Sequence, residues 1–296
     1  MSKILWGIDL GGTKIEGVVL EEASPHPLCR IRIPTEAEKG YDHILSQIYT
    51  LIEELRKSSK INPSQIGMGT PGTLDPENHT LKNSNTTCLI GKHLQSDLEK
   101  KLGIPIHIEN DANCFTLAEA RWGAAKGAQT AFGIILGTGV GGGIVLQGKP
   151  LTGRHGIAGE WGHNPLDPQG PDCYCGRVGC VETIISGPAL EEYYRTRTGK
   201  IASLEEISNE VDSDSAARET IERLTTHFGK ALAAVVNILD PDIIVLGGGV
   251  SHIKSLYTEG PAEVQKHLFH PTLLTPIVPN KLGDSAGVFG AALLNS

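Results

Sequence analysis

The chain has 296 residues, of which 39% are apolar and 20% charged, with a formal net charge of −8. This is an ordinary globular composition with length for about two domains, and its acidic balance argues against a nucleic-acid or anionic-membrane surface, since both need a basic footprint. The opening MSKILWGIDLGG reaches Asp9 without an uninterrupted apolar stretch, and no run approaches a membrane span, so small-molecule chemistry in the cytoplasm is expected.

In chain order, the first motif is ILWGIDLGGTKIEGVVL, from Ile4 to Leu20. An apolar run, a glycine turn and a second β-like run predict a hairpin. Neither the dinucleotide fingerprint nor the GxxxxGK[ST] loop is present, because both need a helix to open at the glycines. A turn between strands still offers a nest of backbone N–H groups for phosphate, to which Thr13 and Lys14 add a hydroxyl and a point charge. Asp9, at the end of the first run, is placed to hold magnesium through water.

Ile44, Ile48, Leu51, Ile52 and Leu55 recur at helical spacing and predict an amphipathic helix before a strand around Ile66. GMGTPGTLD, Gly67 to Asp75, is a turn-rich strand end. Asn83 to Thr87 is polar and uncharged, which suits a neutral polyol or a solvated loop. The run Ile104 to Ile108 leads through Glu109-Asn-Asp-Ala-Asn113 into a predicted helix, so Asp111 stands where strand gives way to helix. Two roles fit it: helix N-cap, or a general base kept ionised by the helix terminus. Asn110 beside it can orient a ligand hydroxyl.

AFGIILGTGVGGGIVL, Ala131 to Leu146, repeats the first hairpin, with Gly133 echoing Gly7. Two such hairpins point to two related domains. Ile135 stands where the first copy has Asp9, so only one domain carries the metal carboxylate. The stretch from Gly159 to Glu182, GEWGHNPLDPQGPDCYCGRVGCVE, holds three of the six cysteines in a loop-like composition rich in glycine and proline. Cys173, Cys175 and Cys180 with His163 form a candidate Cys₃His set of the closed zinc type. Such a staple would hold Glu160 and Glu182, which flank it, ready to grip a ligand rich in hydroxyls. Short helices are expected over Gly187 to Gly199 and Ser203 to Val211, and a long one from Ser213 to Leu239 that stops before Asp240-Pro241. DIIVLGGGV, Asp242 to Val250, reads as a buried strand ending in three glycines that let a flat group approach the backbone. Asp284 to Leu294 reads as a final helix returning to the first domain.

Taken together and in order, GIDLGGTK, GTPG (Gly69 to Gly72), ENDAN, GTGVGGG, GEWGH and CYCGRVGCVE resemble the ROK family of repressors, open reading frames and sugar kinases. The resemblance runs from Gly7 to about Ala292. It implies an α/β architecture of the actin-like ATPase (ribonuclease H-like) fold, two α/β domains flanking a cleft: 1–124 plus 284–296 as the small domain, 125–283 as the large one with the zinc loop. By matching motif, Asp111 is the catalytic base, and the sugar-binding set is Gly72, Asn85, Asn110, Asp111, Glu160, His163 and Glu182. Asp9, Gly11, Gly12, Thr13, Lys14, Gly137, Thr138, Gly139, Gly247, Gly248 and Gly249 would hold Mg-ATP. His163, Cys173, Cys175 and Cys180 would bind zinc. A homodimer without nucleic-acid partners is expected, because the first strand begins at about Ile4 and leaves no room for the DNA-binding segment of the family's repressors. The wording KNSNTT and GEWGHNPL is most similar to the fructokinase and mannokinase branch, with N-acetylglucosamine kinase or glucokinase as the alternative.

Overall fold

A computed structural model describes residues 2–296. The described residues form two compact units: residues 2–127, 143–158 and 281–296 make the first, and residues 128–142 and 159–280 the second.

In the first unit, β1 (Ile4–Leu10), β2 (Lys14–Glu21) and β3 (Pro27–Pro34) form the expected antiparallel hairpin and a third strand. β4 (Ile66–Thr70) and β7 (Ile106–Asn110) then add in parallel, in the order β3-β2-β1-β4-β7. β5 (Thr73–Leu74) and β6 (Leu81–Lys82) pair as a separate short hairpin. Strand alternation decides which residues of β1 are core. Trp6, Ile8 and Leu10 join the apolar cluster that also takes Ile44, Ile48, Leu51, Ile52 and Leu55 of α1 (Tyr41–Ser59), and Leu94 and Leu98 of α2 (Leu94–Leu102). Gly7 and Asp9 therefore face the opposite side of the sheet. There they meet α10 (Ala286–Leu293), which also packs against α3 (Asp111–Trp122). The close approach depends on glycine: a methyl on Gly67 would land on the Ala291 carbonyl, and one on Gly7 would meet the Val288 carbonyl.

The segment 143–158, which contains the end of β9 (Val140–Leu146) and β10 (Lys149–Pro150), belongs to this unit. Asn113 accepts the Ile144 N–H at 3.1 Å, and the Thr152 hydroxyl donates to Glu109 at 2.6 Å. Reading from sequence keeps this stretch with the second domain, because its strand pattern is continuous with the residues before it.

In the second unit, β8 (Thr130–Leu136) lies beside the first residues of β9. It pairs in parallel with β11 (Ile243–Gly247), which pairs in parallel with β12 (Ile277–Pro279). The helices are α4 (Glu182–Ile185), α5 (Gly187–Thr198), α6 (Leu204–Asn209), α7 (Ser215–Leu239), α8 (Ser255–Thr258) and α9 (Gly260–Gln265). The Asp214 side chain caps α7 through the Ala216 and Ala217 N–H groups, and Asp240 stops it in a left-handed conformation before Pro241. No helix among the described residues is long and apolar enough to cross a membrane.

Candidate active site

The first unit gathers its polar residues where the parallel strands end. Asp9 lies level with Gly69, and Gly69 with Glu109. The Asp9 carboxylate has no hydrogen-bond partner among the described residues, and Gly287 leaves it clearance. Burial, followed by the charges of Asp111 and Glu16, pushes it up to about 7. Asp111 is the first residue of α3. Burial raises it to about 6, against the pull of the Ala112 N–H. The expected stabilisation of its charge by the helix end is therefore outweighed by desolvation.

Capping of α3 falls to Asn110. Its side-chain oxygen accepts from Ala112 N at 2.9 Å and Asn113 N at 3.4 Å, while its amide donates to the Gly72 carbonyl at 3.1 Å. This corrects the N-cap role considered for Asp111. It also shows that Asn110 is tied at both ends of its amide while one N–H remains for a ligand. Gly72 has φ 86°, a left-handed value that glycine adopts without strain. Asn85 lies exposed in the loop that follows β6.

Gly12, Thr13 and Lys14 form the exposed tip of the first hairpin. Gly11 N–H donates to the Lys14 carbonyl at 3.0 Å. The turn is held from the side by Thr35, whose N–H bonds the Thr13 carbonyl at 3.0 Å and whose hydroxyl bonds the Gly11 carbonyl at 2.6 Å. Thr35 is missed by sequence reasoning, since a lone threonine after a strand carries no signal of what it will reach.

In the second unit the glycine turns come together. Gly137 N–H donates to the Gly139 carbonyl at 2.9 Å, and the Gly137 carbonyl accepts from Gly187 N at 2.9 Å, which sets the turn at the start of α5. Gly248, with φ 82°, packs so tightly on the Leu136 backbone that a methyl there would collide with it. Thr138, Gly248 and Gly249 are exposed, while Gly247 is buried at the strand end. Glu182 accepts the Val140 N–H at 2.9 Å, next to Gly139.

All six cysteines are unpaired. The ligand atoms of His163, Cys173, Cys175 and Cys180 lie within 4.8 Å of one another. Cys173 Sγ is 3.5 Å from His163 Nδ1, and Cys175 Sγ is 3.6 Å from Cys180 Sγ. Tetrahedral ligands at zinc bond lengths sit about 3.5–4 Å apart; these two separations lie in that range, and three thiols with one imidazole are the donor chemistry of a closed zinc site. The loop is shaped by its own backbone: Cys173 N–H bonds the Arg177 carbonyl at 2.8 Å, Gly179 N–H bonds the Pro171 carbonyl at 2.8 Å, and Lys230 of α7 donates to the Leu166 carbonyl at 3.1 Å. His163 Nε2 lies 2.9 Å from the Tyr174 hydroxyl. Tyr174 is largely exposed, and local desolvation, then the charges of Glu182 and Glu160, pushes its phenol up to about 12.

Residues 5–296 match the ROK family. The chain belongs to that family. It is 37% identical over 302 aligned residues to an N-acetyl-D-glucosamine kinase of Vibrio cholerae serotype O1, covering 98% of this chain and 99% of the relative. The corresponding kinase of Aliivibrio fischeri is 35% identical, with 98% of each chain covered. Among solved structures, a ROK hexokinase from Thermus thermophilus superposes with a TM-score of 0.87 at 32% identity, over 98% of this chain and 97% of that one. A ROK glucokinase from Streptomyces griseus, in complex with glucose and AMPPNP, gives 0.82 at 28% identity over 99% of both chains. The ROK chain described here thus has the actin-like ATPase fold and is a sugar kinase of its family.

Proposed function

We propose that this ROK kinase transfers the γ-phosphoryl of Mg-ATP to the 6-hydroxyl of N-acetyl-D-glucosamine. Full-length relatives at 35–37% identity bearing that activity support this sugar. They favour it over the fructose or mannose expected from the wording of KNSNTT and GEWGHNPL, which are short loop segments of the kind that varies most within a family.

The observation that carries the kinase chemistry is the state of Asp111. Its carboxylate stands at a strand end, Asn110 performs the capping, and burial sets it near 6, close to the working pH of a general base. In this reading Asp111 takes the proton from the attacking hydroxyl, and Asn110, Gly72, Asn85, Glu160, His163 and Glu182 orient the sugar. The Gly11 to Lys14 turn and the Gly137 to Gly139 turn present backbone N–H groups to phosphate, and Gly247 to Gly249 lie against the adenosine. Asp9, whose carboxylate has no hydrogen-bond partner among the described residues, fits a water-mediated magnesium contact. Magnesium supplies charge neutralisation on the phosphates.

Zinc is proposed at His163, Cys173, Cys175 and Cys180, as a closed structural ion that stiffens the loop carrying Glu160 and Glu182. We place the protein in the cytoplasm, where its thiols stay reduced. A homodimer is also proposed. Ile238 and Phe269 are 89% and 97% exposed beside Asn237, which bonds the 267–269 turn at 3.2 and 3.0 Å. Light scattering of Phe269→Asp should report a monomer if that face is the interface.

The test of the main reading is a coupled assay with Mg-ATP over N-acetylglucosamine, glucose, mannose and fructose. The highest kcat/KM is expected for N-acetylglucosamine. A higher value for fructose or mannose would restore the branch indicated by the motif wording, and phosphorylation of none of the four would remove the kinase reading for this chain.

A further inference from the structure

The loop after β6 is polar throughout, yet it turns every second residue inward. Ser84 and Thr86 are buried, while Asn83, Asn85 and Thr87 are exposed. Burying a hydroxyl costs free energy unless it finds a partner. Ser84 has one, since its Oγ accepts the Thr86 N–H at 3.1 Å. The Thr86 carbonyl in turn accepts the Leu89 N–H at 3.0 Å, and Leu89 is anchored in the apolar cluster of the first unit. The backbone of Thr86 is therefore fixed on both sides. Its hydroxyl caps none of the N–H groups of the single helical turn Thr87–Leu89 that follows. It faces Gly12 instead: a methyl group on Gly12 would stand 3.5 Å from Thr86 Oγ1. Thr35, the other buried threonine at this turn, spends its hydroxyl on the Gly11 carbonyl at 2.6 Å.

We infer that Thr86 is a phosphate-binding residue: its O–H donates to a phosphate oxygen of Mg-ATP lying on the Gly11 to Lys14 turn. The inference rests on the nucleotide reading above. A hydrogen bond to an ionised acceptor is about twice as strong as one between neutral groups, which offsets the cost of holding this hydroxyl away from water. The alternation of the loop then separates two duties. The exposed Asn85 is the member proposed for the sugar, and its buried neighbour Thr86 serves the phosphate.

Thr86→Val keeps the shape of the side chain and removes the hydroxyl, whereas Thr86→Ser keeps the hydroxyl. Binding of Mg-AMPPNP and, separately, of the sugar preferred in the assay above would be measured by calorimetry for wild type and both variants, with thermal melts to show that the fold is retained. The expected result for Thr86→Val is Mg-AMPPNP binding weakened about tenfold, the low end for a hydrogen bond to a charged group, with sugar binding within twofold of wild type. Thr86→Ser should bind the nucleotide nearly as wild type does. Mg-AMPPNP binding by Thr86→Val within twofold of wild type would overturn the inference, as would a loss confined to the sugar or an equal loss in Thr86→Ser. Wild-type protein that binds Mg-AMPPNP but phosphorylates none of the four sugars would remove the kinase reading, and the two variants would still decide the phosphate contact. Wild-type protein that does not bind Mg-AMPPNP would overturn the nucleotide reading and this inference with it.

Discussion

The Glu182 carboxylate accepts the Val140 N–H at 2.9 Å, so a residue proposed to bind the sugar is also fastened next to the Gly137 to Gly139 turn proposed to hold phosphate. A glutamine can still accept that N–H through its amide oxygen, whereas alanine leaves it without this partner. A hydrogen bond to a charged group contributes about 1.5–3 kcal/mol, which corresponds to about 10–100-fold in binding. Glu182→Gln should therefore raise KM for sugar while KM for ATP stays near wild type, and Glu182→Ala should raise both. Steady-state kinetics with each substrate varied in turn checks this, and an unchanged KM for ATP in the alanine variant would uncouple Glu182 from the phosphate turn.

Asp9 and Asp111, raised to about 7 and about 6, must both be ionised for the proposed chemistry. kcat/KM should climb with pH through this range. Asp111→Asn should lower kcat by at least about a hundredfold, the low end of general-base contributions, with sugar binding by calorimetry nearly unchanged.

The same shifts set a stability trend of opposite sign. Folded pKa values above the unfolded carboxylate value of about 4 mean that the folded state binds protons more tightly. The stabilisation is full below pH 4 and is lost as pH rises through about 6 and 7. Asp9→Asn should thus melt higher than wild type at pH 8, with the difference closing toward pH 4. Thermal melts at the two pH values check this, and an equal gap at both would show that titration of Asp9 is not its cause.

Protein purified without a histidine tag should carry one zinc per chain by elemental analysis. Cys175→Ser should lose the ion, and with it both folding stability and sugar affinity, because ordering of the 159–182 loop then lacks the metal's contribution. Fully active protein free of zinc would show that the loop's own backbone bonds suffice.

The elements that depend on neighbours in the chain were legible in the sequence. The two glycine hairpins follow from apolar runs broken by Gly11-Gly12 and Gly137 to Gly139, and α1 follows from apolar residues at helical spacing. The end of α7 follows from Asp240-Pro241. The grouping of His163, Cys173, Cys175 and Cys180 was equally accessible, since a thiol or an imidazole announces its chemistry by type and three of the four lie within eight residues. What only the tertiary structure decided were contacts made across long stretches of chain. Asn110 and Asp111 are both residues that can cap a helix, and local sequence does not choose between them. The choice is made by β7, whose pairing with β4 sets Asn110 level with Thr70 and keeps it extended, so the N-cap position falls to Asn110 and Asp111 becomes the first residue of α3, its carboxylate accepting only the Ala112 N–H at 2.8 Å. Thr35 reaches the Gly11 to Lys14 turn, and residues 143–158 join the first unit through Asn113 and Glu109, by hydrogen bonds whose partners are brought together by folding alone. A side chain's sequence neighbours carry no record of such partners, because the bond depends on where two distant backbones come to lie.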